Sequence, residues 1–319
     1  MGIEKENRTL VLNENPIAPG ENKQVQIKIS RLPTGTLIDI PVHVFNSKKS
    51  GPTVLVQAGL HGDEINGVET LRQMLEGDMF HLKRGTVIVV PILNVFGFIH
   101  FSRDVPDGKD VNRSFPGSKA GSLASRIAHS YTSKILPHVD FAIDLHTGGA
   151  QRNNYPQIRF TEDDDKSRSL AETFNAPFCF ASRLIAGSFR KATHKMGIPT
   201  IVYEGGESMR FDENAIRAGV EGICNVLAAH KMITKEQRPK KKQSVYLETR
   251  RWIRASRAGM FIPLATNGSK IEKGQELGVI ADTFAKRNKK IKAPFDGYIF
   301  CLNHQAVVNQ GDALFHIGK

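Results

Sequence analysis

The chain is poor in cysteine: Cys179, Cys224 and Cys301 are scattered through 319 residues, and none stands in a C-x-x-C pair. This excludes a disulfide framework and a thiolate metal site, and a reducing compartment is the simplest fit. No apolar run approaches the length that spans a bilayer, and the charged start Met1-Gly2-Ile3-Glu4-Lys5-Glu6-Asn7-Arg8 has no apolar stretch behind it of the kind a secretory signal needs. The expectation is a cytoplasmic protein without a membrane partner. A dinucleotide glycine fingerprint and a Walker A loop are both missing. Basic residues are not interleaved with aromatics as they are in nucleic-acid modules, so nucleic acid is not the expected partner.

Charge of one sign is in excess. The formal net charge of +12 favours acidic partners through the long-range field but does not choose among carboxylate substrates, nucleic acid and an acidic protein tail. Residues 236–243, with Arg238-Pro239-Lys240-Lys241-Lys242, read as a solvated basic linker between domains. Before it, residues 1–235 make one α/β domain. Its first 50 residues alternate polar and apolar around a Pro33-Thr34-Gly35 turn, the pattern of edge strands. From 51 to about 230, short apolar runs (Val54 to Ala58, Thr86 to Leu93, Val139 to Leu145, Phe178 to Ala181, Ile198 to Val202) alternate with helical stretches, which predicts a largely parallel sheet covered on both faces. Residues 244–319 carry turn pairs such as Asn267-Gly268, Lys273-Gly274 and Asp296-Gly297, the signature of an all-β module. Phrases within it resemble the barrel-sandwich fold of biotinyl and lipoyl carriers. No Met-Lys-Met stands between them, only Phe284-Ala285-Lys286-Arg287, so the likeness extends to fold and not to a carried cofactor.

The chemistry concentrates where apolar runs end. Gly59-Leu60-His61-Gly62-Asp63-Glu64 follows the first run and sets a histidine and a carboxylate three residues apart, which is zinc-ligand spacing. His146 ends another run, before Thr147-Gly148-Gly149, and is the natural third ligand. In open α/β sheets the ligand site lies outside the carboxyl ends of the strands, so these segments converge. Asn112-Arg113, in a Gly- and Pro-rich loop, can grip a carboxylate, the guanidinium in bidentate fashion and the amide from the side. Arg103 in the same loop offers a fixed positive charge for the oxyanion that develops when water adds to a carbonyl. Glu204, ending a run before Gly205-Gly206, can take a proton from the attacking water and pass it to a leaving nitrogen, with Glu207 as its competitor. The remaining histidines, His304 and His316 among them, read as structural or surface residues.

In that order, His61-Gly62-Asp63-Glu64, Arg103, Asn112-Arg113, Asp144-Leu145-His146 and Glu204-Gly205-Gly206 resemble the succinylglutamate desuccinylase/aspartoacylase family, a branch of the carboxypeptidase A-like zinc hydrolases. The resemblance implies a zinc-carboxypeptidase-like mixed sheet flanked by helices. It also implies one zinc per chain held by His61, Glu64 and His146, with Asn112 and Arg113 on the substrate carboxylate, Arg103 on the scissile carbonyl and Glu204 as base and then acid. The substrate implied is a small carboxylate-bearing N-acyl amino acid, and the activity that of an amidohydrolase. A carboxypeptidase trimming acidic residues, and a non-catalytic binder of an acidic partner, are the alternatives; a homo-oligomer is left open. The family's substrate-contacting tyrosine and second arginine find several candidates here: Tyr155, Tyr298, Arg152 and Arg159.

Overall fold

The computed structural model describes residues 5–31, 35, 37–234, 244–284 and 286–319. Two short paired strands, β1 (Leu10–Leu12) and β2 (Asn15–Ile17), precede the antiparallel pair β3 (Asn22–Arg31) and β4 (Leu37–Asn46), which are the expected edge strands. From Ile40 to Asn46, β4 alternates buried and half-buried positions, the period of a strand with one face covered. Strands and helices then alternate: β5 (Thr53–Gln57), α1 (Ile65–Glu76), β6 (Thr86–Val90), α2 (Val95–Ile99), α3 (Leu123–Lys134), β7 (Phe141–Gly148), β8 (Arg152–Thr161), α4 (Asp165–Phe174), β9 (Phe178–Ser182), α5 (Phe189–Lys195), β10 (Thr200–Glu207) and α6 (Glu213–Ala229). Each predicted apolar run corresponds to one of these strands. β5, β6 and β7 are buried at every position, which requires cover on both faces. Helices α3, α4, α5 and α6 start where a side chain satisfies a first-turn N–H, capped by Ser122, Asp164, Ser188 and Asp212, whereas Glu64 before α1 makes no such bond.

Past residue 244 the elements are strands: β11 (Val245–Tyr246), β12 (Arg250–Arg254), β13 (Gly259–Pro263), β14 (Lys270–Ile271), β15 (Glu276–Ala281), β16 (Asn288–Lys292), β17 (Gly297–Asn303), β18 (Val307–Val308) and β19 (Ala313–Gly318). The order β16-β15-β13-β18 makes a separate antiparallel sheet. The other strands do not stay apart. β12, β19 and β17 pair in turn, and β17 lies antiparallel to β8, so among the described residues one sheet of thirteen strands runs across the boundary. Phe178, Phe180, Leu247 and Phe300 form the apolar seam there. The expected basic linker, 236–243, lies outside the described residues.

The main sheet is more mixed than the apolar runs suggest. β10, β7, β5 and β6 are parallel neighbours, flanked by antiparallel β8 on one side and β4 on the other. Periodicity did not reveal β8, whose sequence is polar and contains Pro156. The proline is tolerated at the point where the neighbour changes: β17 pairs with Arg152–Asn154 and β9 with Gln157–Thr161. A missing N–H there breaks no regular ladder. Hydrophobic clusters include one around Leu55, Ile88, Tyr131 and Phe189 and another around Val54, Val56, Phe174 and Tyr203. The two draw on alternate residues of β5, as a strand buried on both faces requires. Among the described residues no helix is long and apolar enough to cross a membrane.

Candidate active site

After β5 the chain passes through Leu60-His61-Gly62-Asp63 into α1, and Glu64 is the residue that precedes the helix's first turn. Gly62 is required by proximity: an added Cβ would stand 1.8 Å from the backbone carbon of Gly97 in α2. β7 pairs with β5 up to the level Gln57–Asp144, so His146 extends beyond the end of its neighbour and stands over the same loop. His61, Glu64 and His146 are thereby brought together, each no more than 5% exposed. Nδ1 of His61 lies 2.7 Å from Glu64 Oε1 and Nδ1 of His146 lies 2.8 Å from Oε2, while the backbone N–H of Thr147 donates to Oε2 at 3.0 Å. One potential ligand atom from each residue falls within 4.8 Å of the others. Two imidazole nitrogens and a carboxylate, buried and convergent, are a donor set that zinc accepts.

The opposite ring nitrogens face carboxylates. Nε2 of His146 is 2.9 Å from Asp144 Oδ2. Nε2 of His61 is 3.3 Å from Asp110 Oδ1, an ion-pair contact whose alignment falls short of a hydrogen bond. Burial opposes charge on all three central groups, but mutual attraction prevails. Glu64 is held well below the usual carboxylate range by His61 and His146, and His146 is pushed well up by Asp144 and Glu64. His61 is raised by Glu64 and Asp110 against the same burial.

Around this set stand the other predicted residues. Glu204 is the parallel neighbour of His146 in the β10–β7 register. Its Oε2 accepts from Asn154 Nδ2 at 2.6 Å and its Oε1 lies 3.0 Å from an Arg159 guanidinium nitrogen. β10 does not stop before the glycines, as the sequence suggested; it runs on through an irregularity to Glu207. Glu207 contacts Nδ1 of His304 at 2.6 Å, and it does not line the cleft. Arg103 donates to Asp110 Oδ2 at 3.2 and 2.9 Å, with another nitrogen 3.3 Å from His61 Nδ1. Asn112 occupies a short 3-10 turn, where its Oδ1 accepts from the Phe189 N–H at 2.9 Å. Arg113 follows, its side chain 45% exposed.

All seven predicted residues line one cleft of about 470 Å³. Of the open candidates, Arg152 and Arg159 line it, whereas Tyr155 and Tyr298 pack on Phe178 in the seam. Sequence reasoning missed the rest of that wall: Asn154 from β8, Arg190 from α5, Arg250 and Trp252 from β12, and His316 from β19. His316, read from the sequence as structural or surface, is half-buried and lines the cleft. Its ring stacks on Trp252 at 4.2 Å, and burial with Arg159 and Arg250 nearby lowers its pKa to about 3. Arg250 packs its guanidinium 4.5 Å above Phe180 and donates to backbone carbonyls of Leu247 and Ala181. No local motif marks these residues; antiparallel pairing from the far end of the chain delivers Arg250, Trp252 and His316.

Residues 50–230 match the family model described as the succinylglutamate desuccinylase/aspartoacylase catalytic domain. The chain is 27% identical over 293 residues to the N-alpha-acetyl-L-2,4-diaminobutyric acid deacetylase of Halomonas elongata, with 88% of this chain and 85% of that protein covered. Among solved structures it resembles a succinylglutamate desuccinylase/aspartoacylase from Rhodobacter sphaeroides, at 25% identity and a TM-score of 0.79, covering 93% and 96% of the two chains. The fold is also that of the ectoine utilization protein of Ruegeria pomeroyi, at 22% identity and a TM-score of 0.82, covering 98% and 99%.

Proposed function

The chain belongs to the succinylglutamate desuccinylase/aspartoacylase family, and from that membership we propose that this hydrolase of carbon–nitrogen bonds is a zinc-dependent deacylase of small N-acyl amino acids. The observation that supports this most is the convergence of His61, Glu64 and His146 in a cleft that also holds Glu204 and is rich in arginine. His61, Glu64 and His146 would hold one zinc per chain. When bound, zinc supplies a Lewis acid that polarises a carbonyl and makes water a nucleophile near neutral pH.

The chain's own residues do the rest. Glu204 takes the proton of the attacking water and returns it to the leaving nitrogen, a role suited to a carboxylate fixed at both oxygens by Asn154 and Arg159. Arg103 stands beside the ligand set and receives the charge that develops on the carbonyl oxygen. Arg113 grips the substrate carboxylate. Asn112 keeps its amide N–H₂ for the same group, its oxygen being taken by Phe189. Arg103, Arg113, Arg152, Arg159, Arg190 and Arg250 face Glu64, Asp144 and Glu204 in the wall, an excess of positive charge that favours a carboxylate-bearing substrate. The three cysteines are buried and unpaired, which supports a cytoplasmic setting.

The test begins with the metal content of wild type and His146→Ala purified without added metal or chelator. About one zinc per wild-type chain, lost in the variant, is expected. A screen of N-acetyl and N-succinyl amino acids, Nα-acetyl-2,4-diaminobutyrate included, against polyglutamyl peptides then fixes the substrate. Release of glutamate from the peptides alone would replace the deacylase with a carboxypeptidase. A folded wild type that refuses zinc would leave only a binder of acidic partners.

A further inference from the structure

Behind His146 a chain of buried side chains leads away from the cleft through three elements. Asp144 on β7 meets Nε2 of His146 through Oδ2 at 2.9 Å. Its other oxygen accepts from Nε2 of Gln57, the last residue of β5, at 2.9 Å. The oxygen of that same amide accepts from the hydroxyl of Tyr131, on α3, at 2.5 Å. Gln57 and Tyr131 are fully buried and Asp144 is 1% exposed, so water offers no substitute for any of these bonds. Tyr131 and Gln57 line neither the cleft nor any step of the reaction described above.

The direction of every bond in this chain follows from its far end. A buried phenol beside Asp144 keeps its proton, since burial and that negative neighbour push its ionisation well up. Its hydroxyl donates to the amide oxygen, which turns the N–H₂ of Gln57 toward Asp144. A reversed amide would put oxygen against a carboxylate oxygen and leave the phenol without an acceptor. With one oxygen of Asp144 engaged by Gln57, the other is left to accept from His146. That in turn places the imidazole hydrogen on Nε2 and leaves the Nδ1 lone pair facing Glu64 and the metal position.

We infer that Tyr131 and Gln57 are positioning residues for the metal centre, setting through Asp144 the tautomer and ring orientation in which His146 can act as a ligand. The inference rests on the reading of His146 as a zinc ligand. It adds that the affinity of the site depends on a phenol and an amide that never touch metal or substrate. Removing the phenol frees the amide to turn over, and removing the amide leaves Asp144 with a single donor.

The experiment measures zinc affinity by competition with a chelator, well below the unfolding temperature, for wild type, Tyr131→Phe, Gln57→Leu, Asp144→Asn and the double variant Tyr131→Phe/Asp144→Asn. Asp144→Asn should weaken zinc by roughly 10- to 100-fold, the usual cost of losing a partner of a ligating histidine. Tyr131→Phe and Gln57→Leu should each weaken it by about tenfold, and the double variant should be no weaker than Asp144→Asn alone. Should Tyr131→Phe fail to fold, Gln57→Leu carries the same comparison. Zinc affinities within twofold of wild type in the folded variants, or losses that add fully to that of Asp144→Asn, would overturn the inference while leaving the zinc site standing. A wild type that binds no zinc overturns both.

Discussion

His146 and His316 line the same cleft, and their surroundings push them in opposite directions. Carboxylates flank His146, and its ionisation is raised; guanidinium groups and ring faces surround His316, and its pKa is lowered to about 3. The first belongs to a wall made by the carboxyl ends of β5, β7 and β10, where His146 meets the carboxylates of Glu64 and Asp144. The second belongs to a wall made by β8, β12 and β19 together with Arg190 of α5; there Arg190 and Arg250 donate to backbone carbonyls, Arg250 also packs on an aromatic face, and Arg159 pairs with Glu204. One wall is rich in carboxylates and the other carries an excess of guanidinium groups. The same imidazole group is thus pushed toward charge on one wall and held neutral on the other.

That contrast is broken most severely at Glu204, the carboxylate joined to both walls. Glu204→Gln should lower turnover by roughly 10²- to 10⁴-fold while zinc content stays at the wild-type level. Unchanged turnover would remove Glu204 from the reaction, and lost zinc would tie it to the ligand set instead. In the loop that carries Asp110, Arg113→Ala should raise KM for substrates with a free α-carboxylate by about 10- to 100-fold, the worth of a charge-assisted hydrogen bond, with a smaller change in kcat. A KM that does not move would show that the carboxylate is read elsewhere, for example by Arg152.

The smallest effect concerns His316 and stability, not turnover. Its folded pKa of about 3 lies below the ordinary value of 6.5. In the window between these values the unfolded chain takes up a proton that the folded chain refuses. Its contribution is therefore fully present above about 6.5 and is lost as pH falls toward 3. Denaturant unfolding of wild type should weaken across that window, and His316→Phe, which keeps a ring against Trp252, should weaken less steeply. Equal slopes would mean that His316 is protonated in the folded protein, and the positive wall would have to be redrawn.

The two walls also differ in how far they can be read from the chain. His61, Glu64 and His146 follow continuous apolar runs, and a parallel strand buried on both faces has no other way to be written. Arg103 and Asn112-Arg113 were legible because loops after such strands open on the same edge. The second wall hangs on β8, whose Asn153-Asn154-Tyr155-Pro156-Gln157 looks like a loop until its change of partner from β17 to β9 is known. Gln157 and Asn154 are buried there, Asn154 because Glu204 gives its amide a partner. Arg250, Trp252 and His316 depend on pairings that no local spacing encodes. Glu207 shows the same limit: its distance in sequence from Glu204 is small, yet His304 claims it.

The pairing of β17 with β8 also sets when this cleft comes into being. Residues 53–229 leave the ribosome before residues 250–319, and they contain every proposed ligand, the proposed base and the proposed carboxylate clamp. Until Arg250, Cys301 and His316 have followed, one side of β8 has no neighbour at Arg152–Asn154 and the second wall does not exist. A nascent chain that already contains His61, Glu64 and His146 therefore still presents an unfinished sheet edge, the kind of edge that invites wrong pairing during synthesis. Closing that edge and completing the binding wall are one event, late in the life of the emerging chain.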